Sequence, residues 1–329
     1  MHLSELEFTY PGELVAQYPS VHRGAGRLMV IHRSSQEIHH TTFDRILDYL
    51  APGDCLVLND TKVIPARLYG DKNGKKIEVV LCREIEKQVW ECLAFGLKKI
   101  KLGQTIKFGC DLESVCENIT EDGKIILRFH EDVKVFLGEI GHMPLPPYIT
   151  RGDEVQDLER YQTIYAAKEG AIAAPTAGLH WTSELLNAAE NNGVMLARVT
   201  LHIGIGTFRP IRTERIQDHV MHEEYYEISA EAWQRIHSAK RVVAVGTSVV
   251  RALESAVQGN LSGWTNLFVY PGYSFQVVGA LQTNFHQPKS TLLALVYAFG
   301  EKAFLQKAYS EAISHCYRLF SYGDTMLIL

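Results

Sequence analysis

The stretch Thr283-Asn284-Phe285-His286-Gln287-Pro288-Lys289-Ser290-Thr291 sets an amide, an imidazole and several hydroxyls directly before an apolar run at 292–299. Pro288 biases the residue before it away from helix, and Ser290 can cap a helix over the apolar run. Asn284 and His286 are thereby expected on a constrained loop at a helix N-terminus, where backbone N–H groups favour an anion. An ordinary loop before a capped helix fits the same residues equally well.

Other segments carry groups of similar chemistry. Ala173-Ala174-Pro175-Thr176-Ala177-Gly178-Leu179-His180-Trp181-Thr182 flanks Thr176 with small residues that let a ligand approach the backbone, and His180 titrates near neutrality. Its plain alternative is a helix-entry turn capped by Thr182. His202 opens the glycine-rich turn His202-Ile203-Gly204-Ile205-Gly206-Thr207-Phe208-Arg209. His219 and His222 stand three apart beside Glu223, a spacing that can ligate metal, yet H-E-x-x-H and a third ligand are missing. Val242-Val243-Ala244-Val245-Gly246-Thr247-Ser248 reads as a buried strand running into a turn and helix, the place where α/β sheets bind ligands. It is neither G-x-G-x-x-G nor a Walker A loop, and Thr247 or Ser248 is as readily an N-cap. Arg251 and Glu254 share a helix face and could simply pair. Tyr270-Pro271-Gly272-Tyr273-Ser274-Phe275 is an aromatic turn suited to packing, or to stacking a base or cation.

The elements that must position these groups fall into two styles. A helix over 43–50 and a strand over 55–58 come first; then 77–81, 89–94, 105–108, 114–119 and 124–129 read as short strands, with Glu121-Asp122-Gly123 as a hairpin turn. Such spacing suggests a small barrel or sandwich. Pro144-Leu145-Pro146-Pro147 marks a boundary. Beyond it an apolar strand at 171–174, a helix at 182–191, a strand at 194–201, a helix at 230–240, a strand at 241–245 and a helix at 249–257 alternate. The expected architecture is an α/β main domain with a mixed sheet, residues 1–69 and 151–329, interrupted by an all-β, barrel-like insertion at 70–150.

Composition bounds the function classes. A 46% hydrophobic content over 329 residues supports a folded core, and the longest apolar runs fall short of a bilayer span. An acidic start, Met1-His2-Leu3-Ser4-Glu5, lacks a signal-peptide pattern, and the six cysteines lack C-x-x-C spacing. Reduced core thiols and a cytoplasmic protein are expected. The net charge of −5 does not suggest nucleic acid, although Lys98, Lys99, Lys101 and Lys107, and Arg209, Arg212 and Arg215, form local basic clusters.

Taken in order, these strings closely resemble the S-adenosylmethionine:tRNA ribosyltransferase-isomerase family of queuosine biosynthesis. The resemblance rests on Leu58-Asn59-Asp60-Thr61-Lys62-Val63-Ile64-Pro65-Ala66-Arg67, on 174–180, 201–208, 219–223, 246–255 and 270–273, and on 283–293 and the terminal Tyr317-Arg318-Leu319-Phe320-Ser321-Tyr322-Gly323-Asp324. It spans the chain. Departures occur at Gly279, where the family usually has an acidic residue, at Gln287, where it has Leu, at the Gly246-Thr247-Ser248 turn, and in Arg23-Gly24-Ala25-Gly26-Arg27.

The resemblance implies transfer and isomerisation of the ribosyl part of S-adenosylmethionine onto 7-aminomethyl-7-deazaguanine at the wobble position of tRNA. Epoxyqueuosine forms, and adenine and methionine leave. S-adenosylmethionine is then consumed as a substrate, with no true cofactor and no metal. Its sulfonium acidifies the adjacent methylene, so a positioned base can form an ylide-like carbanion, and an acid must help adenine leave. His180 and His286 are the leading acid/base residues, with His202 behind them. Tyr270, Tyr273 and Tyr322 would surround the sulfonium or stack adenine, and Arg251 would take the methionine carboxylate. Asn284 and Thr176 would hydrogen-bond base or ribose, Asp324 the ribose hydroxyls or ammonium, and Thr247 and Ser248 complete the donor site. Lys98, Lys99, Lys101 and Arg209 are the RNA-binding candidates; a monomer without membrane association is expected. The rivals are a conventional methyltransferase, a non-catalytic RNA-binding protein and a metal-dependent hydrolase built on His219 and His222.

Overall fold

The structure is a computed structural model that describes residues 1–72, 74–95, 100–121, 123–208 and 210–329. Two compact units emerge, one of residues 1–62, 146–151 and 160–329, the other of residues 63–145 and 152–159.

In the larger unit a nine-stranded mixed sheet runs, in spatial order, Ser262–Thr265, Glu224–Glu227, Met195–Leu201, Asp54–Asn59, Arg241–Val245, Ala280–Asn284, Thr325–Ile328, Arg27–His32 and Glu37–Thr42. Met195–Leu201, Asp54–Asn59, Arg241–Val245 and Ala280–Asn284 are mutually parallel. The β-branched Val242, Val243 and Val245 suit a strand buried on both faces. Side-chain alternation sorts the sheet into two cores. Val57 and Ala244 face one that includes Leu253 of helix Thr247–Ser255, Leu293 of helix Thr291–Phe299 and Leu305 of helix Lys302–Ser314. Leu56, Leu58, Val243 and Val245 face the other, with Phe43, Ile46, Trp181 and Leu186. That is the three-layer α/β architecture expected from the alternating pattern.

Local capping explains where the helices start. Thr182 Oγ1 accepts from Leu185 N at 3.2 Å to open Ser183–Asn191, and Ser290 Oγ accepts from Leu293 N at 3.1 Å to open Thr291–Phe299. Several expectations need correction. The segment read as a helix at 43–50 is a 3-10 helix, Phe43–Tyr49, and the strand expected at 171–174 is Lys168–Ala171. The helix placed at 249–257 starts two residues earlier, at Thr247. Thr283 and Asn284 end a strand that pairs on both edges; they are not on a loop.

The smaller unit is a closed antiparallel barrel of six strands: Lys124–Phe129, Val89–Phe95, Lys75–Glu86, Arg67–Lys72, Thr105–Lys107 and Glu113–Ile119. Register shifts on Lys75–Glu86 at Leu81/Arg83 and Glu84/Glu86 bend this long strand, as barrel closure requires. Leu68, Val79, Cys92, Ile106, Cys116 and Leu127 are fully buried in it. Of the expected hairpin turn, Asp122 lies outside the described residues. All six cysteines are free; Cys55, Cys92 and Cys116 are core thiols, whereas Cys110 and Cys316 are exposed and so are not core residues. No helix among the described residues is long and apolar enough to cross a membrane.

Candidate active site

The parallel strands of the larger unit end at one pocket, as the carboxyl edges of α/β sheets commonly do. Ile203 follows Met195–Leu201, Gly246, Thr247 and Ser248 follow Arg241–Val245, and Phe285, His286 and Gln287 follow Ala280–Asn284. Pro175, Thr176 and Ala177 close one side, Tyr148, Phe320 and Ser321 another. The pocket and its mouth hold about 760 Å³ of empty space, open solvent included. Gly246 makes the strand-to-helix turn at φ +95°, a left-handed conformation that glycine adopts without strain, and a Cβ there would lie 3.4 Å from Ala177 Cβ.

Asn59 organises the floor. Its Nδ2 donates to Leu201 O and Ser248 Oγ, both at 3.0 Å, while Oδ1 accepts from Leu201 N at 3.0 Å and Thr61 N at 3.1 Å. This amide ties two strand ends to the first turn of helix Thr247–Ser255. Glu224 organises a second wall: Oε1 accepts from Gly204 N at 2.8 Å and Thr207 Oγ1 at 3.2 Å, and Oε2 pairs with Arg251 Nη1. Arg251 also donates to Leu267 O at 3.0 Å and Thr265 O at 3.3 Å. Both partners are about 5% exposed, so the guanidinium expected to receive a ligand carboxylate is already committed. Arg251 and Glu254 do not pair with each other. Glu254 instead accepts from Gln276, Val277 and Val278 N at 2.9–3.1 Å and from Tyr273 OH at 3.3 Å, pinning the aromatic turn.

The three histidines differ in placement. His286 lines the pocket, its Nε2 2.9 Å from Thr283 Oγ1, and burial pushes it down to about 3. His180 stands outside the lining, behind Asn284, whose Nδ2 approaches His180 Nε2 at 3.3 Å. Burial lowers it to about 4, against an upward pull from Asp324. His202 is half-buried with Nδ1 2.8 Å from Thr61 Oγ1 and its ring parallel to Tyr225, away from the pocket lining; burial lowers it too.

Thr176, Thr247, Ser248, Arg251 and Asn284 line the pocket as expected residues; Tyr270, Tyr273, Tyr322 and Asp324 do not. Tyr270 and Tyr273 pack on the core, with Tyr273 pushed up to about 12 by burial and then by Glu254. Tyr322 meets Tyr161 edge-on at 5.8 Å. Asp324 accepts from Arg27 N and Arg318 N at 2.8 Å and from Arg27 Nε at 3.3 Å, so it locks the terminal loop. Lys101 is exposed on the smaller unit, whereas Lys98, Lys99 and Arg209 lie outside the described residues. His219 packs edge-on against Phe268 at 5.6 Å, and no group of three or more His, Cys, Asp or Glu able to hold a metal occurs among the described residues.

Sequence reasoning missed the aromatic wall. Tyr148 packs at 5.0 Å, tilted, against Phe320, and its OH lies 2.5 Å from Ser321 Oγ. Phe320 and Ser321 sit in the terminal string already singled out, but only the fold brings Tyr148 to them. Glu224 was also missed, because it stands just past the His219–Glu223 cluster and its partner Arg251 is distant in the sequence.

The buried histidines carry a stability consequence. Folding lowers His180 from 6.5 to about 4 and His286 from 6.5 to about 3. Between those values the unfolded chain binds more protons, so stability is complete above pH ~6.5 and is lost as the pH falls through this window. At about 1.4 kcal/mol per pK unit the pair together contributes several kcal/mol. Urea midpoints should therefore drop steeply from pH 6.5 to 4, and His286→Gln should flatten the drop; an equal slope in that variant would contradict it.

Residues 3–328 match the family described as queuosine biosynthesis protein. The chain is 48% identical to the S-adenosylmethionine:tRNA ribosyltransferase-isomerase of Halothermothrix orenii and 48% identical to that of Thermotoga petrophila, each alignment covering 100% of both chains. A crystal structure of S-adenosylmethionine tRNA ribosyltransferase from Thermotoga maritima is 40% identical with a TM-score of 0.58, over 99% of this chain and 100% of that one. Similarity of this extent places the chain in the queuosine biosynthesis protein family.

Proposed function

We propose that this chain transfers and isomerises the ribosyl moiety of S-adenosylmethionine onto 7-aminomethyl-7-deazaguanine at wobble position 34 of tRNA, giving epoxyqueuosine-tRNA with release of adenine and methionine. The observation that carries this is the pocket itself: Thr176, Thr247, Ser248, Asn284 and His286, from separate strings of the sequence, converge at the carboxyl edge of the sheet. Its contents suit a nucleoside bearing a sulfonium. Tyr148 and Phe320 supply aromatic surface, which favours both a flat base and a cation. His286 supplies an imidazole that is neutral at pH 7, with one nitrogen to accept a proton and one to donate.

The test is adenine release. Purified protein given S-adenosylmethionine and an anticodon stem-loop carrying the aminomethyl base, in chelator, should release adenine in step with a gain in RNA mass. RNA binding without adenine would favour a non-catalytic protein, and loss of activity in chelator would favour a metal-dependent reaction.

A wobble base must be splayed out of its loop for such chemistry. We place the RNA backbone on the barrel unit, where Lys101 is exposed and its neighbours Lys98 and Lys99 lie outside the described residues. Reversing the three lysines to glutamate should reduce the slope of log affinity against log salt by up to about 2, at roughly 0.7 per single-strand phosphate contact. An unaltered slope would put the RNA elsewhere.

A further inference from the structure

Two polar features of the pocket have no side-chain cap or hydrogen-bond partner among the described residues. The helix Thr247–Ser255 starts at Gly246 with no side-chain cap, so the N–H groups of its first turn remain open where Thr247 and Ser248 line the pocket. The other helix that opens at this pocket, Thr291–Phe299, is already capped by Ser290. The second feature is Asn284. This residue is 2% exposed and lines the pocket, and its Oδ1 has no hydrogen-bond partner among the described residues. A buried carbonyl without a donor is costly, which marks it as a group held for something that binds.

His180 sets the orientation of that amide. Its Nε2, 3.3 Å from Asn284 Nδ2, accepts from the NH2 and turns the carbonyl away from itself. Burial keeps the ring neutral, and with its proton on Nδ1 the Nε2 accepts. The space beside His180 is tight: a Cβ on Gly26 would lie 3.3 Å from His180 Nδ1 and 3.5 Å from Asp324 Oδ1.

We propose that these two features form the subsite for the α-amino acid end of the donor, the open helix N-terminus taking its carboxylate and Asn284 Oδ1 its ammonium, with His180 as the positioning residue that orients the amide. The inference rests on the donor assignment above and adds which groups hold which end. A zwitterion offers one group that only accepts and one that only donates; the helix end and the Asn284 carbonyl are their complements. Arg251 is not needed for the carboxylate. Glu224 cancels its charge, leaving a neutral wall for a ligand end that is itself neutral overall.

The experiment is calorimetric binding of three probes without RNA: S-adenosylmethionine, its decarboxylated analogue and its deaminated analogue. Thr247→Pro keeps a good first-turn residue but deletes an N–H and a hydroxyl. It should weaken S-adenosylmethionine about tenfold and leave the decarboxylated analogue unchanged. Asn284→Leu should weaken S-adenosylmethionine and the decarboxylated analogue about tenfold and spare the deaminated one, while Asn284→Asp restores the ammonium-dependent affinity. His180→Leu should reproduce the Asn284→Leu pattern. Equal losses for all three probes would mean a purely structural role and would overturn the subsite, as would no loss for any. Absence of S-adenosylmethionine binding to the unaltered protein would instead defeat the donor assignment itself, and the subsite with it.

Discussion

His286→Ala should lower turnover by about 10²- to 10⁴-fold, the range typical of a general acid or base, with little change in the affinity for S-adenosylmethionine. Of the three histidines singled out in the sequence, His286 is the one in the pocket lining. Thr283 Oγ1 engages its Nε2 and Tyr309 OH accepts from its backbone N–H at 3.0 Å, so ring and backbone are both held and Nδ1 is left to the ligand. A group fixed this way has little reorganisation to undergo when the proton moves. His286→Gln separates chemistry from folding, since glutamine can keep a hydrogen bond to Thr283 but cannot relay a proton between two nitrogens. Single-turnover adenine release should fall in both variants. A rate within a factor of a few of the original in either would reduce His286 to a wall residue.

Glu224→Ala should destabilise the fold by about 3–5 kcal/mol, the cost of leaving a buried charge without its partner. Arg251 is buried in a helix, and its remaining partners are two backbone carbonyls that cannot neutralise it. The same substitution releases Gly204 N and Thr207 Oγ1, so the glycine-rich turn beside the pocket loses its anchor. The double variant Glu224→Leu/Arg251→Met should recover most of the loss, because an apolar pair of similar bulk avoids the stranded charge. Guanidinium denaturation of the two single variants and the double gives the coupling directly. A cost below about 1 kcal/mol for Glu224→Ala would be the behaviour of an exposed pair and would contradict the buried network.

The elements legible in the sequence were those with strong local signals. Val242, Val243 and Val245 announced a central strand, Thr182 and Ser290 announced the helices they cap, and the closely spaced strands between Ile77 and Phe129 announced a barrel. Reading Asn284 as a loop residue failed because Pro288 dominates the local pattern, while pairing on both edges holds 280–284 in a strand. Long-range partnerships were invisible for a related reason. Glu224 meets Arg251 across the fold, and Tyr148 meets Phe320 only because the chain returns from the barrel beside its terminal loop. Tyr270, Tyr273 and Asp324 were chosen for residue chemistry, and the structure gives them packing and loop-locking contacts away from the pocket lining. Spacing can nominate a side chain; its direction depends on contacts that only the fold supplies.

The central claim is that S-adenosylmethionine gives up its ribosyl carbons and not its methyl group. The direct measurement is the mass of the RNA product from two donors, one uniformly carbon-13 labelled in the ribose and one labelled in the methyl. The ribose label should enter the RNA in full, with adenine released in equal amount, and the methyl label should leave with methionine. Methyl label in the RNA, or adenine retained while the RNA gains mass, would contradict the account.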